Sequence, residues 1–358
     1  MSLTWTAAQH TAQCARREAG GAWRGYAMRT TAWAQWPADE SAYPGAQAQE
    51  LQARLEALWA PWQGQPLHEV LADASDAGVS RELARRWSAQ AGPRLGRLAV
   101  QSTPQAGVDI GVDGLVLLWR RYRLRCAHFL PHVPLGHKCG RLHGHDFEVV
   151  VHVRQTQACP NHDALDAAWA PWHVRLNHQR LNDIPGLDNP TSEVLSSWLW
   201  QQLSPSLVDL HSVTVFETAS CGAHHDGQSH RIWKDFSFDS ATRLGHAPKD
   251  SELAQVHGHT YRLRLVLNAP LDAQLGWAMD FGDVKSAFAP VFKAYDHQPL
   301  FERADLATGD VGCIAAALLR DAQSVLPALE RLTLWDGDGL GAEVATSPDV
   351  LALPSLPL

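Results

Sequence analysis

HGHDFEVVVHV at 143–153 and HGHTYRLRLVL at 257–267 are one segment written twice. Each opens with two histidines flanking a glycine, and apolar residues then return at every second position, the period of a strand with one buried face. A fainter third version is RGYAMRTTAW at 24–33. The two clear copies lie about 114 residues apart, a spacing that marks a repeat of whole structural units.

The same period recurs downstream. LNHQRLNDIPGLDNPTSEVLSSWLWQQL (176–203), YDHQPLFERADLATGDVGCIAAALL (295–319) and WQGQPLHEVLADASDAGVSRELARRW (62–87) share a polar pair, then Gln, then Leu. A β-like segment follows each: SVTVFET (212–218), RLTLWDG (331–337) and RLAVQST (97–103). The chain therefore divides into three repeats, 1–113, 114–229 and 230–358. Each begins with two alternating strands, as in RYRLRCAHFL (121–130) and HDFEVVVHV.

Two helices come next. AQELQARLEALWA (48–60) and FGDVKSAFAPVFKAY (281–295) place apolar residues at spacings of three and four. Another helix is predicted after Pro190, with Thr191 and Ser192 as caps and Val194, Leu195, Trp198 and Leu199 facing inward. A closing strand pair gives ββααββ per repeat. Three repeats supply twelve strands, enough for one pseudo-trimeric antiparallel β-barrel of the α+β class with helices outside, and closure removes every sheet edge.

Composition narrows the function. The 358 residues are 45% hydrophobic and 19% charged, without an apolar run long enough to span a membrane. The N-terminal residues lack the basic-then-apolar pattern of a secretory signal, so a cytoplasmic protein is expected. A net charge of -8 opposes a general grip on nucleic acid and favours small molecules or proteins as partners. The six cysteines form no CxxC pair and are expected as free thiols. Most of the fifteen tryptophans are expected to fill cores.

The chemistry concentrates in HFLPHVPLGHKCGRLHGH (128–145). On a strand, His143 and His145 point to one face, and His128 on the neighbouring strand adds a third imidazole. Three histidines with an open fourth position form the donor set of catalytic zinc. Cys139 lies four residues before His143; beside a dication and Lys138 its thiol is expected to have a lowered pKa and to serve as a base.

The runs LPHVPLGHKCGRLHGH and LNDIPGLDNPTSEVLSSWLW, with the ET of VTVFET, resemble the 6-carboxytetrahydropterin synthases of the queuosine pathway, relatives of 6-pyruvoyltetrahydropterin synthase. The likeness is strongest over 122–222, clear over 236–302 and traceable in 1–112 only through the repeat. It implies a tunnelling fold with Zn2+ on His128, His143 and His145 and Cys139 as the proton-abstracting base. Glu217 would hold the pterin ring, with Thr218 beside it, and an Asp-His pair from a neighbouring unit would relay a proton.

The implied reaction converts 7,8-dihydroneopterin triphosphate to 6-carboxy-5,6,7,8-tetrahydropterin, releasing acetaldehyde and triphosphate. Lys138, with Arg141, His132 and His137, would meet the triphosphate. A 6-pyruvoyl product, a related pterin lyase activity and a non-catalytic pterin-binding or assembly role stay open. The resemblance also allows two chains to pair as a homodimer.

The repeats depart from this pattern in complementary ways. The second reads Asn177-His178 where the family has Asp-His, and the third supplies Asp296-His297. The third has Thr242 for the first zinc ligand, Leu253 for the cysteine and Asp336 for the anchor. The first places Gln9, Arg24 and Tyr26 at ligand positions, Gly20 at the cysteine, Gln63-Gly64 at the pair and Ser102 at the anchor. One complete site is therefore expected, with metal, Cys139 and Glu217 from the second repeat and Asp296 and His297 from the third. His257 and His259 read as remnants. The second repeat also lacks the GWAMDFGDVK segment of 276–285, and its first helix, around 166–176, is expected to be short or broken at Pro171.

Overall fold

The computed structural model describes residues 3–18, 20–37, 41–111 and 113–351. Twelve strands and two long helices per repeat follow in the expected order. The strands are β1 (Leu3–Arg17), β2 (Trp23–Gln35), β3 (Arg94–Thr103), β4 (Ala106–Gly111), β5 (Val116–His128), β6 (His143–Arg154), β7 (Leu210–Thr218), β8 (Cys221–His225), β9 (His230–Thr242), β10 (His257–Asn268), β11 (Leu329–Trp335) and β12 (Leu340–Ala345). They form one closed antiparallel barrel in the order β1-β12-β11-β10-β9-β8-β7-β6-β5-β4-β3-β2.

The helices are α1 (Gln47–Trp59), the short α2 (Leu67–Val70), α3 (Asp76–Ser88), α4 (His162–Leu176), α5 (Ser192–Leu203), α6 (Phe281–Lys293), α7 (Val311–Gln323) and the short α8 (Pro348–Leu351). α1 packs on β1, α3 on β3 and β4, α5 on β7 and β8, and α7 on β11 and β12. The second long helix of each repeat starts on a side chain that accepts backbone N–H groups: Ser75 from Gly78, Thr191 from Val194, and Asp310 from Gly312 and Cys313. Such caps satisfy donors that the first helical turn leaves open.

α4 corrects the expectation at Pro171. It runs unbroken through fifteen residues with the proline inside. Asn161 caps its start, and buried Leu165, Trp169 and Leu176 anchor it on both sides of the ring. Burial at both ends outweighs the one intrahelical hydrogen bond that proline removes.

The threefold repeat extends to the backbone of the polar pair. Gly64, His178 and His297 all adopt left-handed conformations, with φ of 72°, 64° and 56°. Their N–H groups donate to the carbonyls of Gln13, Arg125 and Asp239 at 2.6, 2.7 and 2.6 Å. The preceding side chains, Gln63, Asn177 and Asp296, accept from the N–H groups of the same three residues at 3.1, 2.9 and 3.2 Å. This clamp ties each helix-to-helix connection to its first strand. The pair is thus conformational in every repeat, whatever chemistry it adds.

The structure divides into two compact units, one running through Val116 and adding Phe236–Leu265 and the residues from Ala287 onward, the other comprising Leu117–Asp235 and Val266–Ser286. In the first, Trp33 and Trp335 meet edge to face at 6.3 Å over Ala7 and Gly341. A Cβ at Gly341 would come within 2.5 Å of the Trp335 ring, which excludes any larger residue there. The buried Arg97 guanidinium lies 3.9 Å from the Trp33 ring and donates to both oxygens of buried Glu343 at 3.2 and 3.1 Å. Arg331 reaches the same carboxylate at 3.7 Å.

Burial pushes the Arg331 guanidinium down to about 10, against the pull of Glu343. Glu343 therefore compensates two buried cations, and breaking such a set costs about 3–5 kcal/mol. E343A is expected to lose at least about 3 kcal/mol of unfolding free energy in urea; a loss below about 1 kcal/mol would match a solvent-screened pair instead.

Candidate active site

β5 and β6 are joined by the loop that carries Cys139, and their register places His128 opposite His143 and Cys126 opposite His145. One ligand atom from each of His128, His143 and His145 lies within 4.8 Å of the others. The rings pack at centroid distances of 4.5, 5.2 and 5.0 Å. His128 is 1% exposed, and its Nδ1 faces the Pro190 carbonyl at 2.9 Å. His143 Nδ1 faces the Arg141 carbonyl at 2.7 Å. A carbonyl only accepts, so both rings carry their proton on Nδ1 and leave Nε2 as a lone pair.

Nε2 of His128 and of His145 are buried without a hydrogen-bond partner among the described residues. Burial, with His143 and His145 nearby, pushes His128 down to about 4 despite the Pro190 carbonyl. Burial also lowers His145. Three converging imidazoles, two oriented by outer carbonyls, suit a borderline dication.

Around the cluster sit carboxylates, Glu193 buried and Glu217 half-buried. Glu217 Oε1 is 3.8 Å from His145 Nε2. Burial, with the carboxylates of Glu193 and Asp280 adding to it, pushes Glu217 up to about 7, against Lys138. Glu193, 2% exposed in the first turn of α5, is raised to about 7 by burial although the Ala278 N–H donates to it at 3.1 Å and Ser192 Oγ at 3.2 Å. Sequence reasoning read the TSE run as a helix cap and missed this carboxylate. An acid in the first helical turn directly after Thr191-Ser192 was the available signal.

Cys139 is half-buried in a 3-10 turn at 138–140, where its N–H donates to His137 Nδ1 at 3.2 Å. The expected depression of its pKa is not what the protein alone produces. Burial and the Glu217 and Asp280 carboxylates raise the thiol, and Lys138 opposes them. Any lowering must come from a bound cation. Lys138 and Arg141 are exposed, as the triphosphate reading requires, whereas His132 Nδ1 is 2.7 Å from the Gln274 carbonyl and His137 is 3.6 Å from Asp280. Exposed Thr218 contacts Cys221 Sγ at 3.0 Å in the β7–β8 turn.

The wall that the second repeat lacks comes from the third. Asn189 donates to the Leu275 carbonyl and Thr191 to the Gly276 carbonyl, both at 2.7 Å. With the Ala278–Glu193 bond and Trp277 packed 6.0 Å from His137, residues 274–280 lie against Glu193 and the Cys139 loop.

The first repeat fills its equivalent place differently. Ala15, Ala127 and Ala241 donate alike to Gln65, Gln179 and Gln298, which makes Arg16, His128 and Thr242 equivalent. This corrects the assignment of Gln9, which lies seven residues earlier on β1. The Arg16 guanidinium pairs with Asp76, and Ser102 Oγ donates to Asp76 at 2.6 Å. An internal cation stands there in place of a metal.

Models of known families agree with this picture: the 6-pyruvoyl tetrahydropterin synthase model matches residues 117–228 and again 231–347, well over half of the chain. The chain belongs to the 6-pyruvoyl tetrahydropterin synthase family. Among similar proteins of this family's chemistry, a 6-carboxy-5,6,7,8-tetrahydropterin synthase of Synechocystis sp. is 33% identical over 120 residues, 30% of this chain and 92% of its own length. A dihydroneopterin monophosphate aldolase of Pyrococcus furiosus is 34% identical over 117 residues, 32% of this chain and 96% of its own. The solved structure of Caenorhabditis elegans 6-pyruvoyl tetrahydropterin synthase matches 31% of this chain and 92% of its own at 21% identity and a TM-score of 0.27. No helix among the described residues is long and apolar enough to cross a membrane.

The buried Glu193 generates a pH signature. A carboxyl with a higher pKa folded than unfolded leaves stability intact below about 4.5, where both states are protonated, and lowers it as pH rises through about 7. The full effect is at most about 3 kcal/mol. Urea unfolding at pH 5 and pH 8 is expected to show E193Q gaining stability relative to wild type at the higher pH only. Parallel behaviour at both values would contradict the burial of an ionisable Glu193.

Proposed function

We propose that this family member is a 6-carboxytetrahydropterin synthase, converting 7,8-dihydroneopterin triphosphate to 6-carboxy-5,6,7,8-tetrahydropterin with release of acetaldehyde and triphosphate. The observation that carries the reading is the trio of converging imidazoles, with Nε2 of His128 and of His145 unpartnered among the described residues, set beside the Glu217 carboxylate and Cys139. The Synechocystis relative's name supports the same product. In this reading the chain consists of three synthase-like repeats, 1–113, 114–229 and 230–358, acting on a small pterin, and two chains pair as a homodimer.

A zinc ion on His128, His143 and His145 would supply Lewis-acid stabilisation of negative charge on the substrate's side-chain oxygens. Glu217 accepts two parallel N–H donors from the pterin amide and amino group, which favours its ionised form and fixes the ring. Cys139, as thiolate, takes the proton from the side-chain carbon. Lys138 offers positive charge to the triphosphate and to that thiolate.

The proton relay is assigned to Asp296-His297. His297 Nδ1 lies 2.9 Å from Asp296 Oδ1, and its side chain is 75% exposed. The carboxylate holds the ring proton on Nδ1 and so orients the ring, leaving Nε2 to exchange a proton with substrate. Asn177 keeps the clamp of the second repeat but carries no charge for His178. The approach of residues 274–280 to Glu193 and His137 supports a contribution from the third repeat.

C139A and H297A are each expected to lower turnover by about 10²–10⁴-fold, read as triphosphate release, with zinc content unchanged. H178A is expected to stay within a few-fold of wild type. Full turnover in H297A would remove the third repeat from the mechanism; full turnover in C139A would remove the thiol as base.

A further inference from the structure

We propose that the third repeat holds a second metal site of different chemistry, built by His259, Asp336 and Asp338. One ligand atom from each lies within 4.8 Å of the others. The inference goes beyond the pterin reaction and does not depend on it.

The framework of the first metal site is kept here. His257 Nδ1 faces the Gln255 carbonyl at 2.8 Å, as His143 Nδ1 faces Arg141. The His257 and His259 rings stand 5.0 Å apart at 88°, against 5.0 Å and 82° for His143 and His145. Thr242 replaces the first imidazole and turns its hydroxyl to the Gly309 carbonyl at 3.0 Å, so it offers no ligand.

Two carboxylates take over instead. Asp336 is 3% exposed, and the N–H groups of Asp338 and Leu340 both donate to its Oδ1 at 2.9 Å. That clamp orients the carboxylate and leaves Oδ2 for a cation. The side chains surround a cavity of about 40 Å³ lined also by Gln49, Tyr261 and Asp310. Asp310 is engaged in capping α7.

Charge separates a retained site from an eroded one. In the first repeat the Arg16 guanidinium neutralises Asp76 at the corresponding place. Among the described residues lining the third repeat's cavity there is no Lys or Arg, although it holds three aspartates. A dication would neutralise the cluster. One imidazole and two carboxylates form a harder donor set than three imidazoles, which shifts preference towards Mn2+ or Fe2+.

The test counts metal on the full-length chain, stripped by chelator and dialysed against Mn2+ or Zn2+ alone. Wild type is expected to bind two equivalents at saturation, and H143A is expected to keep one. H259A and D336N are each expected to lose one, with loss of the bound Mn2+ signal in electron paramagnetic resonance. H259A leaves the Asp336 turn intact, so misfolding of D336N cannot imitate the result. Saturation of wild type at one equivalent, abolished by H143A and untouched by H259A, would overturn the proposal.

Discussion

The register of one antiparallel ladder carries the site: His128 opposite His143, and Cys126 opposite His145. Side chains on a strand alternate faces, so a slip of one residue would send the imidazoles to the opposite side of the sheet. Closure of the twelve-stranded barrel opposes such slippage, because each strand is held on both edges. The hydrogen bonds from Ala127 to Gln179 and from His178 to Arg125 add a second hold on β5 just before His128. The Pro190 and Arg141 carbonyls then fix the tautomers of His128 and His143.

The three repeats keep that scaffold and change what it displays. Each retains a left-handed residue after a clamping side chain, in the forms Gln63-Gly64, Asn177-His178 and Asp296-His297. The equivalent place carries a guanidinium in the first repeat, three imidazoles in the second, and an imidazole with carboxylates in the third. Strand pairing and helix caps constrain the backbone, whereas a site needs only a few side chains to change. Duplicated units can therefore lose or alter chemistry while the barrel persists.

The strand periods, the capped helix after Pro190 and the clustering of His128, His143 and His145 were legible because each depends on short-range spacing. Gln9 was misassigned because the first repeat has no HGH run to set its register, and only the backbone bond from Ala15 to Gln65 identifies Arg16. α4 survived Pro171 because tertiary burial overrode a local rule. Residues 274–280 closing on Glu193 is a long-range contact with no local signature. The environment of Cys139 was hidden for a related reason: Glu217 and Asp280, distant in sequence, act on the thiol together with its burial and raise it in the absence of a cation.

In the proposed reading, the histidine cluster, the carboxylates and the thiol would together remove a proton beside metal-polarised oxygens on a pterin. The most direct measurement is anaerobic incubation of the zinc-loaded chain with 7,8-dihydroneopterin triphosphate, followed by mass analysis of the pterin formed. The account predicts the mass of 6-carboxy-5,6,7,8-tetrahydropterin together with acetaldehyde. Recovery of unchanged substrate, or of a 6-pyruvoyl product without acetaldehyde, would contradict it.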